Sequence, residues 1–151
     1  MLQLARPGDR EAVNELACQV HDMHVQWRPD IYAHCDCLYP EARFASAVEA
    51  KQLYVAKADG VVVGYVLLPI GVVDHPAMVK RKIMKIEEIC VHEAVRHQGI
   101  GRQMMEDIHA LAKAFGCTDL QLGVYPQNDE AVGFYQKCGF TIRSIEMQRK
   151  V

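Results

Sequence analysis

One junction limits what this chain can fold into more than any other feature. A strand-like run, Ile86 to Val91, leads into Arg96-His97-Gln98-Gly99-Ile100-Gly101, and the chain leaves as a helix reaching Phe115. Ile100, Met104, Ile108, Leu111 and Phe115 form one apolar stripe, and Gly116 stops it. A strand that feeds an amphipathic helix needs a sheet for that helix to cover, which points to a layered α/β arrangement. Glycines at the junction let the backbone come close to a ligand, and the free N–H groups and positive dipole of a helix start favour an anion. The junction therefore reads as a phosphate site. It is not a P-loop, because no Lys-Ser/Thr pair follows the second glycine, and Met104 stands where a dinucleotide fingerprint has its third glycine.

The rest of the chain supplies the layers. Leu2 to Ala5 reads as a short strand, broken by Pro7-Gly8-Asp9, with Asp9 placed to cap a helix. Val13, Leu16, Ala17 and Val20 then recur at helical spacing up to about Val25. Trp27 to Pro40 reads as a loop and Glu41 to Ala50 as a short helix. Leu53 to Ala56 and Val61 to Leu68 are strands joined by the turn Asp59-Gly60. Val72 to Met78 reads as a connection and Lys80 to Val91 as one long strand. Leu120 to Val124 reads as a strand, Asp129 to Lys137 as a helix, and Phe140 to Met147 as the strand or hairpin that completes the sheet. The expected product is one domain over residues 1–151, mixed α/β (α+β), with antiparallel hairpins first and a βαβ unit after.

Composition narrows the function. Half the residues are hydrophobic and the formal net charge is -2, which gives no general reason to bind nucleic acid or an anionic membrane. The longest apolar stretch, Val61 to Val73, is too short for a membrane span and contains Gly64, Pro69 and Gly71. The opening residues do not read as a signal peptide, so the expected compartment is the cytoplasm and the six cysteines are expected as free thiols. Cys35 and Cys37 beside His34 are too closely spaced, with no second pair, to read as a zinc site, and no metal is expected.

A second stretch, Asn128 with Phe134-Tyr135-Gln136-Lys137-Cys138-Gly139-Phe140, follows the junction. Together the two stretches resemble the GCN5-related N-acetyltransferase family, whose pyrophosphate loop runs Arg or Gln, two residues, Gly, one residue, Gly or Ala. The likeness covers roughly Ile83 to Phe140. It implies a mixed, mostly antiparallel sheet of six to seven strands with about four helices, splayed between Ile86–Val91 and Leu120–Val124. It also implies acetyl-CoA as cosubstrate. His97, Gln98, Gly99, Ile100, Gly101 and Arg102, with Arg96, would hold the pyrophosphate. The backbones of Ile89, Cys90 and Val91 would pair with the pantetheine arm, which Asn128 and Ala131 would meet from the other side.

The implied reaction is direct attack of an amine on a thioester. An alkyl amine with a pKa near 10 is only about 0.1% neutral at pH 7, so a carboxylate that takes its proton helps. Glu87 and Glu88 are the candidates, and since neighbouring strand residues face opposite ways, one of them should face the amine. Glu87 is closer to the family's spacing. Tyr135 falls at the family's general-acid tyrosine and would protonate the departing thiolate. The resemblance places His24, Trp27 and Tyr32 on one wall of the acceptor site. The acceptor is a primary amine, whether small molecule, polyamine or protein N-terminus, and the protein would act as a monomer or homodimer. A non-catalytic CoA-binding protein on the same fold is the alternative.

Overall fold

The computed structural model describes residues 1–151. Strand β1 (Leu2–Leu4) ends at a single 3-10 turn, Pro7–Asp9, which opens into α1 (Arg10–Trp27). Asp9 does not cap α1 as its position suggested. Its carboxylate turns back to the Arg6 N–H at 2.9 Å and pairs with Lys57 at 2.8 Å. Burial alone would raise its pKa, but the Lys57 and Arg6 contacts outweigh burial and hold it below the ordinary value. Helix α1 buries Val13, Leu16 and Ala17, and α2 (Glu41–Glu49) buries Phe44.

Strands β2 (Leu53–Ala58) and β3 (Val61–Leu67) form the expected hairpin, with positive φ at both turn residues, Asp59 and Gly60. The strands β4 (Ile70–Val73), β5 (Arg81–Ile86), β6 (Glu88–Val91) and β7 (Asp119–Leu122) follow, with α3 (Ile100–Ala114) before β7 and α4 (Asp129–Lys137) after it. Seven strands are present, in two sheets: β1-β2-β3-β6 and β4-β5-β7. Only β5 and β7 run parallel.

Four expectations need correction. The expected connection, Val72 to Met78, begins inside a strand, because Ile70 to Val73 pair with Met84 to Arg81. The run from Lys80 to Val91 is two strands, because a bulge at Glu87 splits it. The N–H of Glu87 reaches the Leu67 carbonyl at 3.0 Å, while Glu88 is Leu67's partner in the ladder. Strand β7 stops at Leu122 and not at Val124. Residues 141–151 form no strand, and all are exposed.

The bulge rephases the chain. Met84 and Ile86 face the core beneath α3, and regular alternation would put Glu88 there too. With one residue inserted, Ile89 and Val91 take that face, and Cys90 joins the core under α1 and α2. Glu88, two residues from Cys90, therefore faces α1.

Candidate active site

The site starts from an edge. β6 pairs with β3 and with nothing on its other side, whereas β5 continues into β7 as far as the pair Ile86–Leu122. Past that pair the two sheets part. The His92 N–H donates to the Val63 carbonyl at 2.8 Å, so alternate residues Cys90 and Glu88, opposite Tyr65 and Leu67, also turn their backbones to β3. The backbone groups of Ile89 and Val91 point into the opening. Cys90, expected beside them, gives its backbone to β3. One of the open groups is already used: Arg96 Nε donates to the Val91 carbonyl at 3.1 Å.

The loop after β6 presents donors. His97 has φ 62° and Gly99 has φ 85°, and Gly99 is the N-cap of α3. A side chain at Gly99 would meet nothing, so its glycine answers the left-handed backbone and not a lack of space. Gly101 is helical, and a Cβ there would lie 3.4 Å from Phe134 Cζ, an ordinary contact. The N–H groups of His97, Gln98, Gly99, Ile100, Gly101 and Arg102 donate to no protein acceptor; the first paired amide is Gln103, to Gly99 O at 3.0 Å. Successive free amides at a helix start suit the oxygens of a phosphate or pyrophosphate, so the residues present fit that part of CoA.

Helix α4 closes the other side. Asn128 Oδ1 accepts the Ala131 N–H at 3.2 Å, so these two expected cofactor residues bond each other as the α4 N-cap. The Asn128 amide N–H groups remain free to donate. His97 and Glu130, both exposed, face each other at 3.4 Å across the gap between loop and helix. Tyr135 packs against Phe134 and Phe140. Burial, with the nearby Cys138 and Cys90 thiols, pushes its pKa up to about 12, and no protein hydrogen bond holds its hydroxyl. Cys90, 4% exposed, is pushed up to about 11 by burial despite nearby Arg96, so it is a protonated thiol at neutral pH.

The two glutamates part company at the bulge. Glu87 is exposed and pairs with Lys85 at 2.7 Å. Glu88 Oε2 accepts from Tyr39 at 2.6 Å and Tyr65 at 3.0 Å, and Oε1 pairs with Arg43 at 2.6 Å. Tyr39 and Tyr65 are fully buried, and the Arg43 guanidinium lies 4.1 Å from the Tyr39 ring centroid. Burial, then Glu88 itself, raises both tyrosine pKa values, so each remains a donor.

A group of aromatic side chains spans the opening. His24 stacks on Tyr32 at 5.3 Å and meets Trp27 and Tyr125 at 5.7 Å each, and the Tyr32 and Tyr125 hydroxyls bond at 2.8 Å. Tyr32 lies on the loop after α1 and Tyr125 just past β7. Their bond joins the two sides of the splay. Burial, then His21, lowers the His24 pKa, which favours the neutral ring. Sequence reasoning missed Tyr125, Tyr39, Tyr65 and Arg43. The one available signal was the position of Tyr125 directly after the last parallel strand, where α/β sheets place ligands.

Known proteins resemble this chain in sequence and in fold. The chain is 31% identical over 88 residues to an N-acetyltransferase of Lactobacillus delbrueckii subsp. lactis, a match covering 58% of this chain and 50% of that one. The matched region spans about half the length of the curated relatives. A mutant of the BH1408 protein of Bacillus halodurans superposes with a TM-score of 0.94 at 30% identity, over 100% of this chain and 99% of that one. The aminoglycoside N-acetyltransferase AAC(6')-Iy, solved with CoA, shares the fold with a TM-score of 0.71 at 17% identity over the whole of both chains. A sequence model of the acetyltransferase (GNAT) family matches residues 19–140, and the chain belongs to that family.

Proposed function

We propose that the protein transfers an acetyl group directly from acetyl-CoA to a primary amine. One observation carries this reading. Six free amides from His97 to Arg102 continue the unpaired edge at Ile89 and Val91, and an uncommitted hydroxyl, Tyr135, stands beside Cys90 on that same strand. That is a track for a pyrophosphate, then an amide-bearing arm, then a sulfur. The pantetheine arm would pair with the Ile89 carbonyl and N–H as an added strand does.

The chemistry follows from these groups. The amine nitrogen attacks the thioester carbon, and a free edge N–H donates to the carbonyl oxygen as it gains charge. The C–S bond breaks, and Tyr135 donates its O–H toward the sulfur. An alkyl thiol has a pKa of about 8.5, well below that of Tyr135 at about 12, so full proton transfer from the phenol is uphill. Tyr135 therefore acts chiefly as a hydrogen-bond donor to the thiolate; the nitrogen gives up one proton to solvent water as the C–N bond forms and the C–S bond breaks, so the step ends as amide, CoA thiolate and a released proton. Glu88 is the carboxylate on the acceptor side. Its three donors fix it in place, and it sets a negative charge behind the entering amine. Glu87, turned outward to Lys85, has no part. The acceptor enters past His24, Trp27, Tyr32 and Tyr125.

Tyr135→Phe tests the reading. Acetyl transfer to a panel of amines should fall by about 10²-fold or more while CoA affinity changes little. Equal turnover by wild type and variant on an accepted amine removes Tyr135 from the reaction. CoA binding without acetyl-CoA consumption by any amine favours a non-catalytic CoA-binding protein.

A further inference from the structure

The proton that leaves the attacking nitrogen needs a carrier, and neither glutamate of the bulge stands free to be it. Glu87 faces outward to Lys85, and Glu88 spends its oxygens on Tyr39, Tyr65 and Arg43. The wall past which the acceptor enters carries another base. His24 sits among three rings, with centroids 5.3 Å from Tyr32 and 5.7 Å from each of Trp27 and Tyr125. These contacts hold the imidazole by its faces and edges and leave its nitrogens uncommitted: neither ring nitrogen bonds a protein group. Neither nitrogen is sealed off, because the one buried side-chain polar atom without a partner is Gln19 Oε1. The other imidazole on this helix differs: His21 Nε2 is spent on the Ala33 carbonyl at 2.6 Å.

The groups facing His24 leave it a neutral base. His21 approaches from α1 and Tyr32 from the following loop, and the Tyr32 hydroxyl is bonded to that of Tyr125 from beyond β7. Arg28 faces the same two tyrosines, but its charge is paired with Asp30 at 2.8 Å. Burial, then His21, lowers the His24 pKa, and no carboxylate opposes them. Resting on the acetyltransferase reading above, we propose that His24 is the proton acceptor of the reaction. The neutral amine adds to the thioester carbon, and the C–N bond forms. One proton passes from the nitrogen to an open ring nitrogen of His24, which becomes an imidazolium. The C–S bond breaks, and CoA leaves as the thiolate on the Tyr135 hydroxyl. The imidazolium then gives its proton to solvent, so the sum is amide, thiolate and one released proton. The transient charge is carried among three aromatic rings, each within the distance of about 6 Å at which a ring face attracts a cation.

Steady-state kinetics on the full chain test this, with an acceptor amine of low pKa that stays neutral across the pH range. A lowered His24 pKa keeps the ring neutral until the pH falls through it. Wild-type kcat should therefore drop on acidification with a midpoint below about 6.5. His24→Gln should lose that limb and about 10²-fold in kcat, while acceptor KM and CoA affinity change by less than about threefold. Added imidazole should restore part of the rate to His24→Ala. The wild-type profile decides the matter even where a variant does not fold. A wild type without the acid limb, a His24→Gln kcat within twofold of wild type, or a loss confined to KM would overturn the inference. Transfer that needs Tyr135 and not His24 sinks this inference alone, whereas a wild type that transfers to no amine removes the acetyltransferase reading and this inference with it.

Discussion

Glu87 and Glu88 are neighbours with the same side chain, and one inserted residue gives them opposite lives. Glu88 is gripped by Tyr39, Tyr65 and Arg43, whereas Glu87 meets only Lys85 at the surface. Glu88→Gln should lower kcat/KM at least tenfold and cost about 2 kcal/mol in chemical denaturation, since it breaks charge-assisted bonds to two buried hydroxyls. Glu87→Gln should change either quantity by less than twofold. A severe loss confined to Glu87→Gln would reverse the assignment. Tyr135 makes a separate prediction about pH. An ordinary phenol titrates near 10, but burial pushes this one up to about 12. A raised pKa keeps the donor protonated to higher pH, so kcat should not fall between about pH 8 and 10. A basic limb in that range that disappears in Tyr135→Phe would contradict the buried donor.

The elements show why some of this was readable and some was not. The α3 stripe and the Asp59-Gly60 hairpin were legible because period and turn chemistry are local. α4 begins at its Asn128 cap and ends before Gly139, a start and stop both visible in sequence. The bulge was not legible, since Lys85-Ile86-Glu87-Glu88-Ile89 carries no glycine or proline to mark it, and its cause is tertiary: Leu67 accepts from one residue and pairs with the next. β4 was missed because a four-residue strand containing Gly71 has too little pattern. The run after Phe140 has strand composition, yet it forms no strand, because composition alone supplies no partner edge. In the loop before α3 the two glycines predict different outcomes. Gly99→Ala forces a left-handed residue to carry a Cβ and should cost about 1 kcal/mol. Gly101→Ala sits in the first turn of α3 with its Cβ at contact distance from Phe134, and its gain in helix propensity, about 1 kcal/mol at most, should offset any crowding. Urea denaturation should separate the two, while both weaken CoA binding in titration calorimetry. Equal destabilisation by both would mean that backbone conformation is not what Gly99 supplies.

At the scale of the molecule, two cores lie on opposite faces of the strands, one under α1 and α2, the other under α3 and α4, and the parted sheets leave β6 with one bare side. The arrangement holds a strand's worth of hydrogen-bonding groups unspent, so a cosubstrate that pairs there acts as part of the fold. Ligand that binds only the native state at 100 times its Kd adds about 2.7 kcal/mol, which for a chain of this size raises Tm by about 8 °C. Acetyl-CoA should do this, and NAD should not. Amide hydrogen exchange locates the effect. In the free protein the Ile89 and Val91 amides should exchange quickly, while those of Cys90 and His92, turned to β3, stay protected. Saturating CoA should slow Ile89 and Val91 at least tenfold and leave Cys90 and His92 nearly unchanged. Protection of Ile89 and Val91 before any ligand is added would mean that the edge is covered in solution, and the track for the pantetheine arm would have to lie elsewhere.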